Sequence, residues 1–438
     1  MTQQQNGKNN MIENEQQPIR QVILAGLDQQ NENFDYEMTE LANLAAANNM
    51  TVVGQIVQKL EKPNASTYFG KGKVVELKEA LTYYDADMVV TNDELSPSQL
   101  RNLETGTSAD IMDRTALILD IFASRAKTKV AKLQVAIAQL KYQLPRLRTS
   151  MNVRLDQQTG GGGGSFTSRG AGETKMETNR RHIQHQISLL QAELANIEAD
   201  DETRRAYRTK QSIRNVALVG YTNAGKSTIM NGLLERFGDN PDKTVFQADM
   251  LFATLETSVR KIQLPDKQNF LLSDTVGFVS KLPHGLVAAF RATLAEAADA
   301  DLLVQVVDYS DSHYQEMMAT TVATLKEIGV GDVPMITVYN KADKIPEQTY
   351  PEREADTLIL SATDNASQDL LVDVIKEHIF SDYVTLTLHV PFDEGQVVNE
   401  LNEQAAVHEL DYDETGTILT VTLTPIQAAR FSEYEVKK

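Results

Sequence analysis

The rhythm of apolar and polar positions changes several times along this chain. Between about 20 and 112, short apolar runs ("QVILAG", "TVVGQIV", "DMVVTN", "DIMD") alternate with longer stretches whose apolar residues recur every three or four positions. Those stretches are "YEMTELANLAAANN", "KVVELKEALTYY" and "SPSQLRNLET". The first kind predicts short strands and the second helices. Ser96 stands where a helix cap belongs, with Pro97 in the first turn, where a missing N–H costs nothing. Strand and helix in alternation predict a small parallel α/β domain.

A heptad rhythm follows. Val130, Leu133, Ile137, Leu140, Leu144 and Leu147 are spaced 3, 4, 3, 4, 3. Ile183, Ile187, Leu190, Leu194 and Ile197 are spaced 4, 3, 4, 3, with Met176 one heptad earlier. Two such seams predict an antiparallel helical hairpin, the first spanning roughly 25 Å. The connection between them carries "GGGGG" at 160–164. It is too long for a tight turn, which favours a functional tip over a plain linker.

From 215 to about 380 the α/β alternation returns, with apolar strands "NVALVG", "FLLSD", "LLVQVVD", "MITVYN" and "TLILSA". Residues 383–438 read strand, helix, strand, turn, strand, helix: a small α+β appendix. The expected organisation is therefore a disordered tail (1–19), an N-terminal α/β domain (20–112), a helical hairpin (113–214), a second α/β domain (215–380) and the appendix (381–438).

Composition sharpens this picture in two places. The 438 residues hold no cysteine, which removes disulfides and thiolate metal sites and fits a reducing cytosol. No apolar run reaches the roughly 18 residues of a spanning helix, and "MTQQQNGKNN" does not read as a signal peptide. The expectation is a soluble, cytoplasmic protein, with peripheral membrane association left open. The net charge is 42 − 61 = −19, yet residues 121–181 hold twelve basic side chains against three acids, 12 − 3 = +9. An anionic partner would be steered to this middle segment and away from the acidic C-terminal stretch. Arg146, Arg148, Arg154, Arg169, Lys175, Arg180 and Arg181 are the candidate RNA contacts. His182 and His185, beside the second seam, read as surface residues.

Four motifs carry chemistry. "GYTNAGKST" runs Gly220, Tyr221, Thr222, Asn223, Ala224, Gly225, Lys226, Ser227, Thr228, after a strand and before a helix. That is the phosphate-cradling loop: glycines let backbone N–H groups close on phosphate, Lys226 reaches the β- and γ-phosphates, and the Ser227 hydroxyl binds Mg²⁺. "DTVG" supplies Asp274, Thr275, Val276 and Gly277. Asp274 is expected in the Mg²⁺ shell and the Gly277 amide at the γ-phosphate. "NKAD" offers Asn340 to brace the loop, Lys341 to cover a base and Asp343 to accept two hydrogens from a guanine edge. Adenine lacks that donor pair and would leave the Asp343 carboxylate unpaired. In "LSAT", Ser361 and Ala362 suit a turn that meets the guanine O6. Between the first two motifs, "DMLFATLET" holds Phe252, Ala253 and Thr254. Thr254 is the choice to close over Mg²⁺ and γ-phosphate, with Thr257 as competitor. The set predicts binding of GTP and GDP, with Lys226, Thr254 and Gly277 catalytic and Ser227, Thr254 and Asp274 holding metal.

One position stands out. Many GTP-hydrolysing proteins place a water-orienting glutamine directly after that glycine; here it is Phe278. Asn223 could hold a potassium ion or merely brace the loop, and His284 could act as a base or order a helix; both stay open. "FGKGK" at 69–73 lacks phosphate-loop spacing and reads as a glycine turn opening a helix.

Taken in order, "SRGAGETKMETNRR", "GYTNAGKST", "DMLFATL", "DTVGF", "LPHGLVAAFRATLAEA" and "NKAD" resemble the HflX family of translation-associated GTPases, as does "DRTALILDIF" at 113–122. The likeness runs from about 20 to 380, with Ala171 where the family usually has proline and "LETSV" for its usual "LDPT". It implies a P-loop GTPase, monomeric off the ribosome, that binds the large ribosomal subunit and its RNA. It further implies that hydrolysis is stimulated there and that stalled or idle ribosomes are split or rescued.

Overall fold

The computed structural model describes residues 19–147, 168–210, 213–238, 251–252, 258–281 and 295–436. The tail 1–18, the glycine-rich connection with Arg148 and Arg154, and Ala253, Thr254, Thr257 and His284 lie outside the described residues.

The contacts divide the chain into two compact units, with the break in this region of the chain between Asp113 and Arg114. The first is built on β1 (Arg20–Asp28), β2 (Met50–Lys59), β3 (Met88–Thr91) and β4 (Asp110–Asp113), a parallel sheet in the order β2-β1-β3-β4. Central β1 is buried over six consecutive residues, as a parallel strand covered on both faces must be. Helices Phe34–Ala47, Lys71–Tyr84 and Pro97–Thr107 connect the strands. Ser96 and Gln99 form a reciprocal capping box on the last of these. Gly70 of "FGKGK" is the N-cap of Lys71–Tyr84, as a glycine turn opening a helix requires. Ile23, Ala25, Phe69, Leu77, Val89, Leu95 and Leu103 pack into the core of this unit.

In the second unit, a helix Arg114–Arg125 leads to Lys129–Gln143, capped by the Thr128 hydroxyl on the Ala131 amide. The seam was expected to stay helical to Leu147; it tightens instead to a 3₁₀ turn at Leu144–Arg146. Pro145 explains this, because its ring has no N–H to give the α-helical ladder. A helix of 43 residues, Ser168–Lys210, returns alongside. The Lys129–Glu193 ion pair at 2.6 Å joins the first residue of one helix to the later half of the other, as an antiparallel hairpin demands. Leu133, Ile137 and Ile187 are buried from the two seams.

The nucleotide-type sheet has seven strands in the order β10-β11-β9-β8-β5-β7-β6. They are β5 (Arg214–Gly220), β6 (Ser258–Gln263), β7 (Asn269–Asp274), β8 (Leu302–Asp308), β9 (Met335–Asn340), β10 (Glu352–Glu354) and β11 (Thr357–Ile359). The interior is parallel, whereas the edges β6 and β10 run antiparallel to β7 and β11. Helices Lys226–Phe237, Tyr314–Glu327 and Asn365–Ile379 follow β5, β8 and β11. The strand order reverses between β5 and its neighbours β7 and β8, so the carboxyl end of β5 opens at the switch point where α/β sheets bind ligands. The C-terminal part is a three-stranded antiparallel sheet, β12 (Val384–Pro391), β14 (Gly416–Leu423) and β13 (Ala406–Tyr412), in that order. Helices Gly395–Gln404 and Pro425–Arg430 contribute Leu401 and Ala428 to its separate core.

Candidate nucleotide site

Gly220 ends β5 at φ +146, where an added Cβ would strike the Val306 carbonyl. Five residues on, Gly225 holds φ +100 as N-cap of Lys226–Phe237, and a Cβ there would strike the Asn340 amide. Only glycine meets both demands, so the loop between them takes a shape that leaves the first-turn N–H groups of a 12-residue helix facing outward.

Asn340, at the end of β9 and 1% exposed, ties two loops together. Its amide donates to the Ala224 carbonyl at 2.8 Å, and its carbonyl accepts from the Ala362 amide at 2.9 Å. Lys341, at φ +65, pairs with Asp308 at 2.7 Å, which fixes the aliphatic stem expected to cover a base. Asp308 is a site residue that the sequence reading missed. Asp343 sits on the 3₁₀ turn Ala342–Lys344 and accepts from the Ser361 hydroxyl at 2.7 Å. Asn340, Lys341, Asp343, Ser361, Ala362 and the Gly220–Thr228 loop thus converge at the carboxyl ends of β5, β9 and β11.

On the phosphate side the functional side chains bond to one another and to the loop backbone. Lys226 donates to the carbonyls of Gly220 (3.0 Å) and Tyr221 (2.7 Å). Burial pulls its ammonium down to about 8; Asp274 acts against this and Lys341 adds to it. The Ser227 hydroxyl donates to Asp274 Oδ2 at 2.6 Å. Asp274 is fully buried, and burial pushes its carboxyl up against the pull of Lys226 and Ser227. Its Oδ1 has no hydrogen-bond partner among the described residues. A buried carboxylate with one orphaned oxygen, beside a primary hydroxyl, is the hard-oxygen donor set that Mg²⁺ selects. The residues present fit that ion.

The "DTVGF" segment is zipped onto the phosphate loop. The Thr222 amide donates to the Phe278 carbonyl at 2.8 Å, and the Phe278 amide to the Gly220 carbonyl at 3.2 Å. Gly277 lies so close to Thr222 that a Cβ would come within 2.7 Å of its Cα. Thr275 donates its hydroxyl to the Leu218 carbonyl at 2.7 Å, and Val276 is buried. Phe278 itself is 3% exposed. Asn223, at φ +60, is exposed on the loop. Thr228 lies in the first turn of the helix, and Phe252 is buried at φ +55.

Of the basic candidates on the arm, Arg180 and Arg181 are exposed, the latter paired with Glu177 at 3.3 Å. Arg146 is half-buried and stacked over the Tyr142 ring at 3.4 Å. Arg169 and Lys175 lie on the helix Ser168–Lys210.

A glycine-framed loop opening a helix at the switch point, with Ser227 bonded to Asp274 beside it and the "NKAD" loop tied to it through Asn340, on a mainly parallel sheet, has the form of a P-loop GTPase. Three family models match: GTP-binding GTPase N-terminal over 35–123, GTP-binding GTPase middle region over 125–208, and 50S ribosome-binding GTPase over 215–341. GTPase HflX of Alkalihalophilus pseudofirmus is 39% identical, covering 91% of this chain and 92% of the relative. GTPase HflX of Escherichia coli is 36% identical, covering 89% and 90%. A GTP-binding protein from Sulfolobus solfataricus, solved with GDP, aligns over 83% of this chain and 99% of that one, at 23% identity and a TM-score of 0.43. The chain belongs to the HflX family of GTPases.

Proposed function

We propose that this GTPase acts in the cytoplasm on the large ribosomal subunit, splitting or rescuing idle or stalled ribosomes, and that the ribosome stimulates its hydrolysis. The observation that carries the reading is Phe278. Its side chain is buried, and its backbone amide and carbonyl are both spent on the phosphate loop. Nothing at that position can orient an attacking water, so unassisted turnover is slow and the missing group comes from outside. The family description "50S ribosome-binding GTPase" over 215–341 and the +9 charge of residues 121–181 both support RNA-rich ribosome as that outside surface. The exposed Arg180 and Arg181 on a helix roughly 65 Å long suit phosphate contacts, which position a protein without reading sequence.

Within the site, Lys226 trades its two carbonyl partners for the β- and γ-phosphates. Ser227 and Asp274 hold Mg²⁺, which when bound neutralises charge developing between the phosphates. Thr254, outside the described residues, would be the residue to close over the metal and the γ-phosphate, and the Gly277 amide would meet the same phosphate. Asp343 accepts from the guanine ring, and the loop at Ser361 and Ala362 faces O6. Replacing Lys226 or Ser227 by alanine is expected to abolish nucleotide binding or Mg²⁺-dependent turnover. Salt-dependent co-sedimentation tests the partner: binding to large subunits should fall steeply between about 50 and 200 mM salt. Pelleting indifferent to salt would contradict an RNA-directed arm.

A further inference from the structure

The helix Arg114–Arg125 lies outside the nucleotide motifs, yet it reaches both segments that respond to a γ-phosphate. One side of it is exposed at Asp120, Ala123 and Ser124, and the rest is buried: Arg114, Thr115, Leu117, Ile118, Leu119, Ile121 and Phe122. Arg114 heads the largest fully buried side chains. A guanidinium is not buried without partners, and its Nη2 donates to the Ser280 hydroxyl at 2.8 Å and the Ser280 carbonyl at 3.3 Å. Ser280 follows "DTVGFV", and its own amide donates to the Tyr221 hydroxyl at 2.5 Å. Its three polar groups are therefore held at once, two by the helix and one by the phosphate loop. At the other end of the helix, Phe122 meets Phe252 edge-on, ring centroids 4.6 Å apart. Phe252 is 2% exposed at φ +55 and directly precedes the segment read as closing over the metal.

We propose that Arg114 and Tyr221, by pinning Ser280, and Phe122, by seating Phe252, are positioning residues that restrain both γ-phosphate-sensing segments from moving toward the nucleotide. This makes the helix Arg114–Arg125 the coupling element between the nucleotide site and the arm. The inference rests on reading 251–252 and 274–280 as those sensing segments. GDP brings no γ-phosphate to either segment, whereas a γ-phosphate would draw both inward against these contacts. Through Thr128 the same stretch runs directly into the hairpin, so a force on the arm and a γ-phosphate bias one element, and each must change the other's affinity equally.

The test uses the full chain with Mg²⁺, a fluorescent GDP and a non-hydrolysable fluorescent GTP analogue. Three variants, Tyr221→Phe, Ser280→Ala and Phe122→Leu, remove one contact each while leaving the site filled. Each is expected to raise the preference for the GTP analogue over GDP by threefold or more. A melting temperature that falls while this preference stays as in the parent, or drops, would overturn the proposal, because it leaves the contacts a purely structural role. Tyr221→Phe loses a single oxygen and keeps the ring, so it guards against a folding failure in the other two. Lys226→Ala runs in parallel. Parent-like nucleotide binding by that variant would bring down the site reading and the proposal together. Its loss of binding, with the three preferences unmoved, would bring down the pin alone.

Discussion

Burial lowers the Lys226 ammonium to about 8, against 10.5 for the free side chain. Phosphate oxygens replacing the Gly220 and Tyr221 carbonyls as its partners would restore the charged form, so binding takes up a proton wherever the free protein has lost one. With a value of about 8, roughly nine-tenths of the molecules carry the charge at pH 7 and roughly one-tenth at pH 9. Affinity for GDP should therefore weaken about tenfold between those limits, or about 1.4 kcal/mol. The fold behaves oppositely. Its folded value lies below the unfolded one, so the unfolded chain holds more protons between about 8 and 10.5, and this group's contribution to stability rises with pH across that window. Fluorescent GDP titrated at pH 7, 8 and 9, with calorimetry in two buffers of different ionisation heat, reads both affinity and proton uptake. Lys226→Arg stays charged throughout and should flatten the curve, while any titration of the guanine ring persists in both proteins. Identical pH slopes for parent and variant, with no proton uptake at pH 8.5, would refute the reasoning.

Gly225→Ala forces a Cβ against the Asn340 amide at φ +100. It should abolish nucleotide binding and cost about 1–3 kcal/mol in urea unfolding; parent-like binding would contradict the close approach. Asp343→Asn should weaken guanine preference and let xanthosine triphosphate partly restore turnover, whereas unchanged guanine selectivity would remove Asp343 from the base. Replacing 156–172 by a short Gly-Ser turn should leave GTP binding intact and abolish ribosome splitting; splitting that survives would end the role given to the tip.

What was legible in the sequence depended on where the information lay. Apolar runs such as "NVALVG" and "LLVQVVD" announced interior strands because parallel strands covered on both faces must be continuously hydrophobic. The edge strands β6 and β10 gave no such signal. "SVRKIQ" buries only Ile262 completely, and "ERE" is exposed throughout, so pairing alone defines them. The helix Arg114–Arg125 fell inside the helical region expected over 113–214 but without bounds of its own, because its exposed side, Asp120, Ala123 and Ser124, includes an alanine and marks the period weakly. The glycines at 220 and 225 were readable as motif, and the structure adds the backbone carbonyl and the side-chain amide that exclude a Cβ. Asp308 behind Lys341, and the grip of Arg114 and Tyr221 on Ser280, join residues 33, 166 and 59 positions apart. No local pattern encodes such a distance; an arginine opening an apolar helix was the sole hint.

The central claim is that the ribosome completes a catalytic centre which Phe278 leaves unfinished. GTP turnover by the purified chain, with and without large ribosomal subunits, in sodium and in potassium buffers, tests it most directly. Slow turnover alone and a strong rise on adding subunits, in either buffer, is the predicted result. Rapid turnover by the isolated chain, unaffected by subunits, would contradict it.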